Sequence, residues 1–410
     1  MTATVIAIFA AVYLGMILGG LPFLQLDRSG VALLGAIAVV GLGALSPEQA
    51  ARSVDLPTLL LLFSFMVVSA QMRLGGFYGR VTQKIAALPV APPALLGAVI
   101  GVVALLSALF SNDVVCLAVA PLLADACARR RLDPVPFLLA LACAANVGSA
   151  ATLIGNPQNM LIGQVLQLPF GGYFLYALVP VLAGVALTWA LIAWQTRGAW
   201  AARESAAPQS ATGADAVRAS FDPWQTAKGL AVVGALVAVF LLTSWPRDVA
   251  ALIGAGLLLT SRKLHSSKML GLVDWELLIL FIGLFVVNHA LERTGVARQA
   301  LHALAAAGVP LDHPAPLFAA TLVLSNVLSN VPAVMLLLHA AKAPFAGPML
   351  ALVSTLAGNL LIVGSIANII VVDAARRRGI EIGWRRHART GVPVTLATLG
   401  LTAAWFALRL

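Results

Sequence analysis

The stretch that decides the fold runs from residue 146 to residue 159 and reads Asn-Val-Gly-Ser-Ala-Ala-Thr-Leu-Ile-Gly-Asn-Pro-Gln-Asn. It lies inside an otherwise apolar segment, at about residues 135–165. Pro157 lacks an amide donor and Gly155 permits unusual dihedral angles, so we expect a helix to open here. In the hydrocarbon core a helix is interrupted only where protein or a water-filled cavity satisfies the freed backbone groups. The stretch therefore predicts a polar site inside a membrane protein.

The composition of the whole chain agrees with this prediction. Of its 410 residues, 60% are hydrophobic and 10% are charged, whereas about a quarter are charged in soluble domains. Apolar segments such as residues 5–23, 56–72 and 172–194 are each close to the roughly 20 residues that cross the hydrocarbon core as a helix. Such segments recur along the chain, so the first is interpreted as a retained span rather than a signal peptide.

The charge distribution and the cysteines give further evidence on the class of protein. The net charge is +10, but Lys and Arg lie in short loops between apolar segments, which favours bilayer topology over nucleic-acid binding. Cys116, Cys127 and Cys143 show neither CxxC nor Cys/His spacing. We interpret them as small apolar residues packed between helices.

The second half of the chain repeats the first at an offset of about 219 residues. Four landmarks recur in the same order, with small gaps: Arg28 falls on Arg247, Val54-Asp55 on Val273-Asp274, Ser111-Asn112 on Ser329-Asn330, and residues 155–159 on residues 364–368. Such self-similarity indicates a duplication. It predicts a first repeat at residues 1–194, a polar cytoplasmic linker at 195–225 and a second repeat at 226–410.

Each repeat is predicted to hold three spans, an interrupted hairpin, a broken span and a last span. The first contains 5–23, 30–45, 56–72, a hairpin at 91–127, a broken span at 135–165 and 172–194; the second contains 226–243, 249–261, 274–291, a hairpin at 315–342, a broken span at 348–373 and 391–409. With re-entrant hairpins, each repeat crosses the membrane five times, and an odd number inverts the second copy. The predicted fold class is an all-α membrane protein with two inverted repeats, about ten transmembrane crossings, two re-entrant hairpins and one broken helix per repeat.

The distribution of basic residues predicts the orientation. If both termini lie outside, 20 of the 26 Lys and Arg residues fall in cytoplasmic loops, as the positive-inside rule requires. The runs Arg129 to Arg131 and Arg376 to Arg378 are then cytoplasmic anchors. We expect a multi-pass protein of the bacterial inner membrane, with the lipid bilayer as its partner.

The interruptions are the candidate binding sites. Opened helices free carbonyls for a cation, and the following half-helix presents amides to an anion. Short polar side chains at the hairpin tips either cap freed amides or coordinate a small hard cation together with those carbonyls. The candidate residues for substrate or ion are Ser111, Asn112, Asp113, Gly155, Asn156, Asn159, Ser329, Asn330, Asn359, Gly364, Ser365 and Asn368. The candidate sodium ligands are Ser111, Asn112 and Asn156 in one half, with Ser329, Asn330 and Asn368 in the other. No cofactor is expected apart from Na⁺ as a coupling ion.

Asp113 is the one carboxylate in a hairpin tip, and Val331 takes its place in the second half. A carboxylate at membrane depth is energetically expensive, which favours a role in binding sodium or carrying a proton. The alternative is a helix cap satisfied by nearby amides. Asn288, His289 and His339 are weaker candidates, since a histidine in such a span is at least as often a packed residue as a proton carrier.

Residues 149–163 resemble the broken-helix signature of the ion transporter superfamily, and residues 358–372 resemble its second-half signature. The superfamily includes arsenite efflux pumps, citrate and dicarboxylate carriers, D-type sodium/proton antiporters and the P protein. The resemblance implies an elevator-type carrier, and the common dimeric state of superfamily members implies a homodimer. In sodium-coupled dicarboxylate members the Ser-Asn-Thr tips bind sodium and substrate; Asp113 and Val331 stand in the third position here, which disfavours a dicarboxylate.

We therefore expect a secondary transporter, coupled to Na⁺ or H⁺, for a small anion, an oxyanion or arsenite. Sodium/proton antiport without another substrate is an alternative that Asp113 would serve. An intramembrane enzyme would need a Ser/His or paired-Asp arrangement, which the sequence does not display. A channel or a purely structural subunit stays open as an alternative, although neither requires inverted broken helices.

Overall fold

A computed structural model describes residues 1–20, 24–201 and 221–409. The first ten helices are α1 (Thr2–Leu18), α2 (Arg28–Gly41), α3 (Pro47–Ser53), α4 (Leu56–Leu74), α5 (Phe77–Ala86), α6 (Pro92–Leu109), α7 (Asn112–Arg129), α8 (Pro134–Ser149), α9 (Pro157–Val165) and α10 (Phe170–Gln195). The next ten are α11 (Pro223–Leu242), α12 (Arg247–Leu259), α13 (Ser266–Leu270), α14 (Trp275–Arg293), α15 (Val296–Ala306), α16 (Pro314–Leu328), α17 (Asn330–Leu337), α18 (Ala346–Ala357), α19 (Ile366–Arg376) and α20 (Trp384–Arg409). Short 3₁₀ turns lie at Leu338–Ala340 and Ile362–Gly364.

The predicted all-α membrane architecture is confirmed. In the part of the chain that the structure describes, six helices are long and apolar enough to cross a bilayer, namely α4, α6, α10, α11, α14 and α20. Large apolar side chains such as Leu175, Leu182 and Leu242 are exposed on the outside of these helices. A surface of this kind is stable in lipid but not in water.

Local sequence signals explain where many helices begin. Asp55 accepts a hydrogen bond from the Thr58 amide at 2.8 Å, and Asp274 accepts one from Leu277 at 2.9 Å. These aspartates were landmarks of the repeat, and both are helix N-caps. Proline in the first helical position starts α8, α9 and α11, where its missing amide is not needed.

The helix bounds depart from the predicted spans in several places: α1 ends at Leu18 rather than at residue 23, and α11 begins at Pro223 rather than at residue 226. Helix α20 begins at Trp384 rather than at residue 391, because Arg385, Arg386 and His387 continue the helix beyond its apolar part. The short helices α3, α5, α13 and α15 were not predicted, since they lie outside the apolar segments. The predicted linker at 195–225 includes the last residue of α10 and the first three of α11, and its residues 202–220 lie outside the described residues.

Helices from the two halves pack together in pairs. Helix α2 lies against α14, and α4 lies against α12. The first pair approaches closely at Gly283, where an added Cβ would lie 2.5 Å from the carbonyl carbon of Ala32. Small residues permit such close packing where a helix interface lacks a hydrophobic driving force. The hairpin helices α6 and α7 instead pack on α8.

Three of the basic segments lie next to one another. Ion pairs join Arg378 to Asp125 and Arg386 to Asp133, both at 2.9 Å. The Asp133 backbone amide also donates to the carbonyl of Trp200, near the start of the linker. These contacts place the loop after α7, the loop after α19 and the start of the linker together, and the side of the membrane on which they lie stays a prediction.

Candidate functional site

The first helix break lies between the end of α8 at Ser149 and the start of α9 at Pro157. The tip of the α6/α7 hairpin is attached to it, because the Asn112 amide donates to the Gly155 carbonyl at 3.0 Å. The Thr152 hydroxyl donates to the Ala108 carbonyl at 2.6 Å. Only glycine fits at position 155, where an added Cβ would lie 2.3 Å from the Ser149 carbonyl oxygen.

The second break lies between α18, which ends at Ala357, and α19, which begins at Ile366. It forms without proline. The Asn368 side-chain amide donates to the carbonyls of Gly358 at 2.7 Å and Leu361 at 3.0 Å. Asn326 of the second hairpin donates to the Ala357 carbonyl at 3.2 Å. Side-chain amides therefore satisfy the carbonyls that the missing helical turn would have bonded.

Asn146 of α8 joins the two breaks. Its Nδ2 donates to the Oδ1 atoms of Asn359 at 2.8 Å and Asn368 at 3.2 Å. Its Oδ1 accepts from Asn112 Nδ2 at 3.0 Å and from Ser365 Oγ at 2.9 Å. This side chain is 1% exposed, so one buried amide makes all four of its hydrogen bonds across three segments.

Thr355 of α18 makes the corresponding contacts with the first break. Its hydroxyl accepts from Asn156 Nδ2 at 3.2 Å and from Gln158 Nε2 at 3.3 Å. It donates to Asn159 Oδ1 at 3.3 Å. Each break is thus hydrogen-bonded by a helix from the other half of the chain.

The hairpin tips hold buried oxygen atoms that lack donors. Within the described part of the chain, Oδ1 of Asn112 and Oδ1 of Asn330 accept no hydrogen bond. The hydroxyls of Ser107 and Ser325, four residues before each tip, are also buried and unpartnered. Buried polar atoms without partners are uncommon and call for an explanation such as a bound ion.

The two tips differ in backbone and charge. Ser329 has φ 78°, a region that favours glycine, whereas Ser111 has φ −56°. Among the described residues, neither serine side chain caps a helix. The half-buried Asp113 carboxylate forms no hydrogen bond or ion pair there. The alternative of a simple capping role for Ser111 and Asp113 is therefore wrong.

The predicted site residues lie around the two breaks, but they differ in whether their polar atoms are free to bind a ligand. Asn156 Oδ1 accepts from the Asn159 amide at 2.9 Å and caps α9, so that oxygen is already used. Asn368 Oδ1 accepts from Asn146, whereas the Asn359 Nδ2 group makes no hydrogen bond in the described residues. Gly155 and Gly364 contribute backbone, and Ser365 donates to Asn146.

Some residues of the network were missed by the sequence reasoning. Asn146 stood in the quoted stretch but not among the candidates, and Thr355 and Asn326 were not singled out. Tyr173, whose hydroxyl donates to the Ala150 carbonyl, and His387, whose Nε2 approaches the Asn359 carbonyl oxygen, were not singled out either. A usable signal existed for Asn146 and Thr355, which are polar residues inside apolar segments at equivalent positions of the repeat. No sequence signal marked Tyr173 or His387.

The weaker candidates lie elsewhere. Asn288 accepts a hydrogen bond from the Tyr13 hydroxyl at 2.9 Å, which joins α14 to α1. His289 and His339 both approach the Glu292 carboxylate, at 3.9 and 3.6 Å. The three cysteines are buried and free.

The network consists of side-chain amides, hydroxyls, backbone groups and the His387 imidazole. No Lys or Arg side chain donates to it in residues 1–20, 24–201 and 221–409. The carboxylate at its edge is Asp113. Such a site suits a cation and an uncharged hydroxylated molecule, and it offers no charged partner for a carboxylate substrate.

A helical membrane protein with a buried polar site between two interrupted helices has the architecture of a secondary transporter. The chain belongs to the citrate transporter family, whose sequence profile matches residues 5–357, and this family is part of the ion transporter superfamily. The resemblance inferred from the broken-helix motifs is therefore confirmed, and the protein is a transporter rather than an enzyme.

Several relatives match almost the full chain. A silicon efflux transporter from Oryza sativa subsp. japonica is 30% identical, over 96% of this chain and 95% of its own length. A 46 kDa membrane protein from Mycobacterium leprae is 29% identical, over 94% of each chain. The inner membrane protein YbiR from Escherichia coli is 29% identical, over 90% of this chain and 93% of its own.

Proposed function

We propose that this protein is a sodium-coupled secondary transporter that moves a small uncharged hydroxylated acid, such as silicic or arsenous acid, across the bacterial inner membrane. The observation that carries the proposal is the pair of unpartnered oxygens, Oδ1 of Asn112 and Oδ1 of Asn330, each buried beside a helix break. Oxygen atoms of this kind are ligands for a small hard cation. Together with Ser111 and Ser329, they would hold one sodium ion in each half.

The composition of the network supports the choice of substrate. Citrate carries up to three negative charges, and a site without Lys or Arg side chains would leave them unpaired. An uncharged hydroxylated acid needs only donors and acceptors, which Asn359 Nδ2 and the surrounding hydroxyls supply. The name of the rice relative, a silicon efflux transporter, agrees with this class of substrate.

Inverted repeats would provide alternating access, and the contacts between α10 and α20 support the inversion. These helices occupy the same place in each half and have 26 residues each. They run antiparallel: Gln195, at the end of α10, donates to the Arg389 carbonyl near the start of α20, whereas Tyr176, near the start of α10, packs on Phe406. Equivalent helices that run in opposite directions are the expected result of an inverted duplication.

The packing also supports an elevator motion. One group consists of α2, α4, α12 and α14, in which α2 packs on α14 and α4 packs on α12. The other group consists of the hairpins and the broken helices. We propose that the first group is the scaffold and that the second carries the substrate past it. The hairpin tips end at the level of the breaks, which supports re-entrant hairpins rather than further crossings.

The test uses purified protein in proteoliposomes loaded with silicic acid, arsenite or citrate, under a sodium gradient, a proton gradient or neither. We expect flux of silicic acid or arsenite that depends on the sodium gradient, and no flux of citrate. Asn112→Ala and Asn330→Ala should each raise the sodium concentration for half-maximal flux by about tenfold. Thr398→Val is the control, because Thr398 is buried on α20 and bonds only within its own helix.

Two outcomes would overturn the proposal. Flux that is driven by protons and does not depend on sodium would refute the two proposed sodium sites. Ionic conductance without a counter-ion gradient would indicate a channel.

Sodium/proton antiport is the second candidate function, and the unpaired Asp113 carboxylate favours it. Proton release on sodium entry, without any other substrate, would establish that function instead.

A further inference from the structure

One aromatic side chain from a long helix reaches each helix break. The Tyr173 hydroxyl donates to the Ala150 carbonyl at 2.7 Å. His387 Nε2 lies 3.1 Å from the Asn359 carbonyl oxygen. A carbonyl can only accept, so Nε2 is the protonated nitrogen in this contact. Both side chains are almost fully buried, at 3% and 2% exposure.

These two contacts occupy equivalent places in the two halves. Tyr173 is the fourth residue of α10, and His387 is the fourth residue of α20. The receiving carbonyls also correspond, since Ala150 and Asn359 are 209 residues apart, the separation of Gly155 and Gly364. Because two different residue types make the same contact, we infer that the contact has a function that the sequence preserves by different means.

The neighbouring residues fit the different lengths of the two side chains. A phenol reaches farther from the backbone than an imidazole does, so the helix that carries histidine must lie closer to its break. Gly391 is the eighth residue of α20, and an added Cβ there would lie 2.4 Å from the Asn359 carbonyl oxygen. The eighth residue of α10 is Ala177. The pairs Tyr173 with Ala177 and His387 with Gly391 are therefore alternative solutions to one geometric requirement.

The Asn359 peptide connects His387 to the proposed site. Asn359 Oδ1 accepts from Asn146, and an added Cβ on the adjacent Gly358 would lie 3.2 Å from Asn330 Nδ2. His387 thus contacts Asn359, and the Asn330 side chain lies close to the adjacent Gly358. A shift of this segment would move the hairpin tip and the Asn146 network together.

We propose that Tyr173 and His387 are equivalent positioning residues, each of which holds the opened backbone of one break so that the adjacent hairpin tip keeps its binding geometry. The inference rests on the proposed function, because the tips are the sodium ligands in that proposal. Neither residue contacts the ion itself.

The central experiment compares side chains of similar shape that differ in the donor. His387→Gln keeps an N–H donor, and His387→Met has a similar length without one. We expect His387→Met to raise the sodium concentration for half-maximal transport by about tenfold and His387→Gln to raise it less than about threefold. Tyr173→Phe should act like His387→Met, with Thr188→Val and Thr398→Val as buried controls on the same two helices.

Hydrogen–deuterium exchange tests the inference independently of transport. His387→Met should speed exchange in residues 358–362 and leave residues 150–156 unchanged, and Tyr173→Phe should do the reverse. A general loss of stability would speed both segments. Equal exchange and equal sodium dependence in the Met and Gln variants would overturn the inference.

A compensation experiment tests the geometric requirement. His387→Tyr alone should crowd the break and Gly391→Ala alone should displace the Asn359 carbonyl, so each should impair transport. The double variant reproduces the Tyr173 and Ala177 pair and should recover at least half of wild-type flux. A double variant no better than either single variant would refute the equivalence. If wild-type protein shows no sodium-dependent transport, the proposed function fails, and the exchange measurements still decide this inference.

Discussion

Asn146 and Thr355 are separated by 209 residues, like Gly155 and Gly364, and each side chain hydrogen-bonds the helix break of the other half. Asn146 contacts Asn368, and Thr355 contacts Asn159 at the equivalent position. The reciprocity means that neither break is complete without the other repeat. The two halves therefore form one polar site rather than two independent ones.

The two members of this pair should differ in importance. Asn146→Ala removes four hydrogen bonds and leaves several buried groups unpaired, so we expect a loss of more than about 2 kcal/mol in the free energy of unfolding. Thr355→Val keeps the shape and removes longer bonds of 3.2 to 3.3 Å, so we expect a loss of about 1 kcal/mol. Equilibrium unfolding in detergent micelles measures both, and equal losses would contradict the central role of Asn146.

The sequence predicted the elements whose physical cause is local. Proline, aspartate or asparagine stands at the start of many of the apolar helices and marks where they begin. At the first break, Gly155 and Pro157 both disfavour a continuous helix. The second break was predicted from the repeat rather than from its own residues, since no proline marks it. Asn368 and Asn326 stabilise the open backbone through hydrogen bonds to the carbonyls of Gly358 and Ala357, and the sequence alone does not identify these partners.

The unpredicted parts depend on packing between distant segments. Nothing local to Tyr173 or His387 indicates that either side chain would reach a carbonyl in another helix. The use of Asn156 Oδ1 as a helix cap could have been foreseen, because asparagine before proline is a common helix start. It makes that oxygen the least available of the predicted sodium ligands.

Replacement of Asp113 should separate stability from transport. The half-buried carboxylate has no partner in the described residues, so Asp113→Asn removes an unpaired charge and should raise the thermal midpoint of the protein. Transport should fall if the charge binds sodium or carries a proton. Thermal unfolding and proteoliposome flux measure the two effects. Full flux with an unchanged midpoint would exclude both roles.

The two hairpin tips should respond oppositely to glycine. Ser329 has φ 78°, a conformation that is strained for a residue with a Cβ, so Ser329→Gly should stabilise the protein by about 1 kcal/mol. Ser111 has φ −56°, and Ser111→Gly should destabilise it by about 0.5 to 1 kcal/mol because the unfolded chain gains freedom. Unfolding measurements on the two variants check the difference in sign.

The ion pairs on the basic face should differ with their environment. Arg378 is 22% exposed and joins the end of α19 to Asp125 on α7, whereas Arg377 is 77% exposed and pairs with Asp373 on its own helix. We expect Arg378→Gln to lower the free energy of unfolding by about 1 kcal/mol and Arg377→Gln to change it by less than about 0.5 kcal/mol. Losses of the same size at low and high salt would show that packing rather than charge is responsible.

Asp222 should give the protein a measurable pH dependence on the acid side. The backbone amide of Gln225 donates to this carboxylate, and together with Lys263 it lowers the pKa of Asp222 below its ordinary value. A depressed folded-state pKa stabilises the folded form above the unfolded-state pKa of about 3.9, and this contribution is lost as the pH falls through the lower folded-state value. Asp222→Asn keeps a side chain that can cap α11 but removes the titration. The thermal midpoint of the variant should therefore fall less steeply than that of the wild type between pH 5 and the acid limit of folding. Lys263→Gln, which removes only the lesser partner, should leave most of the wild-type slope. Superimposable curves for all three proteins would show that the charge of Asp222 does not stabilise the fold.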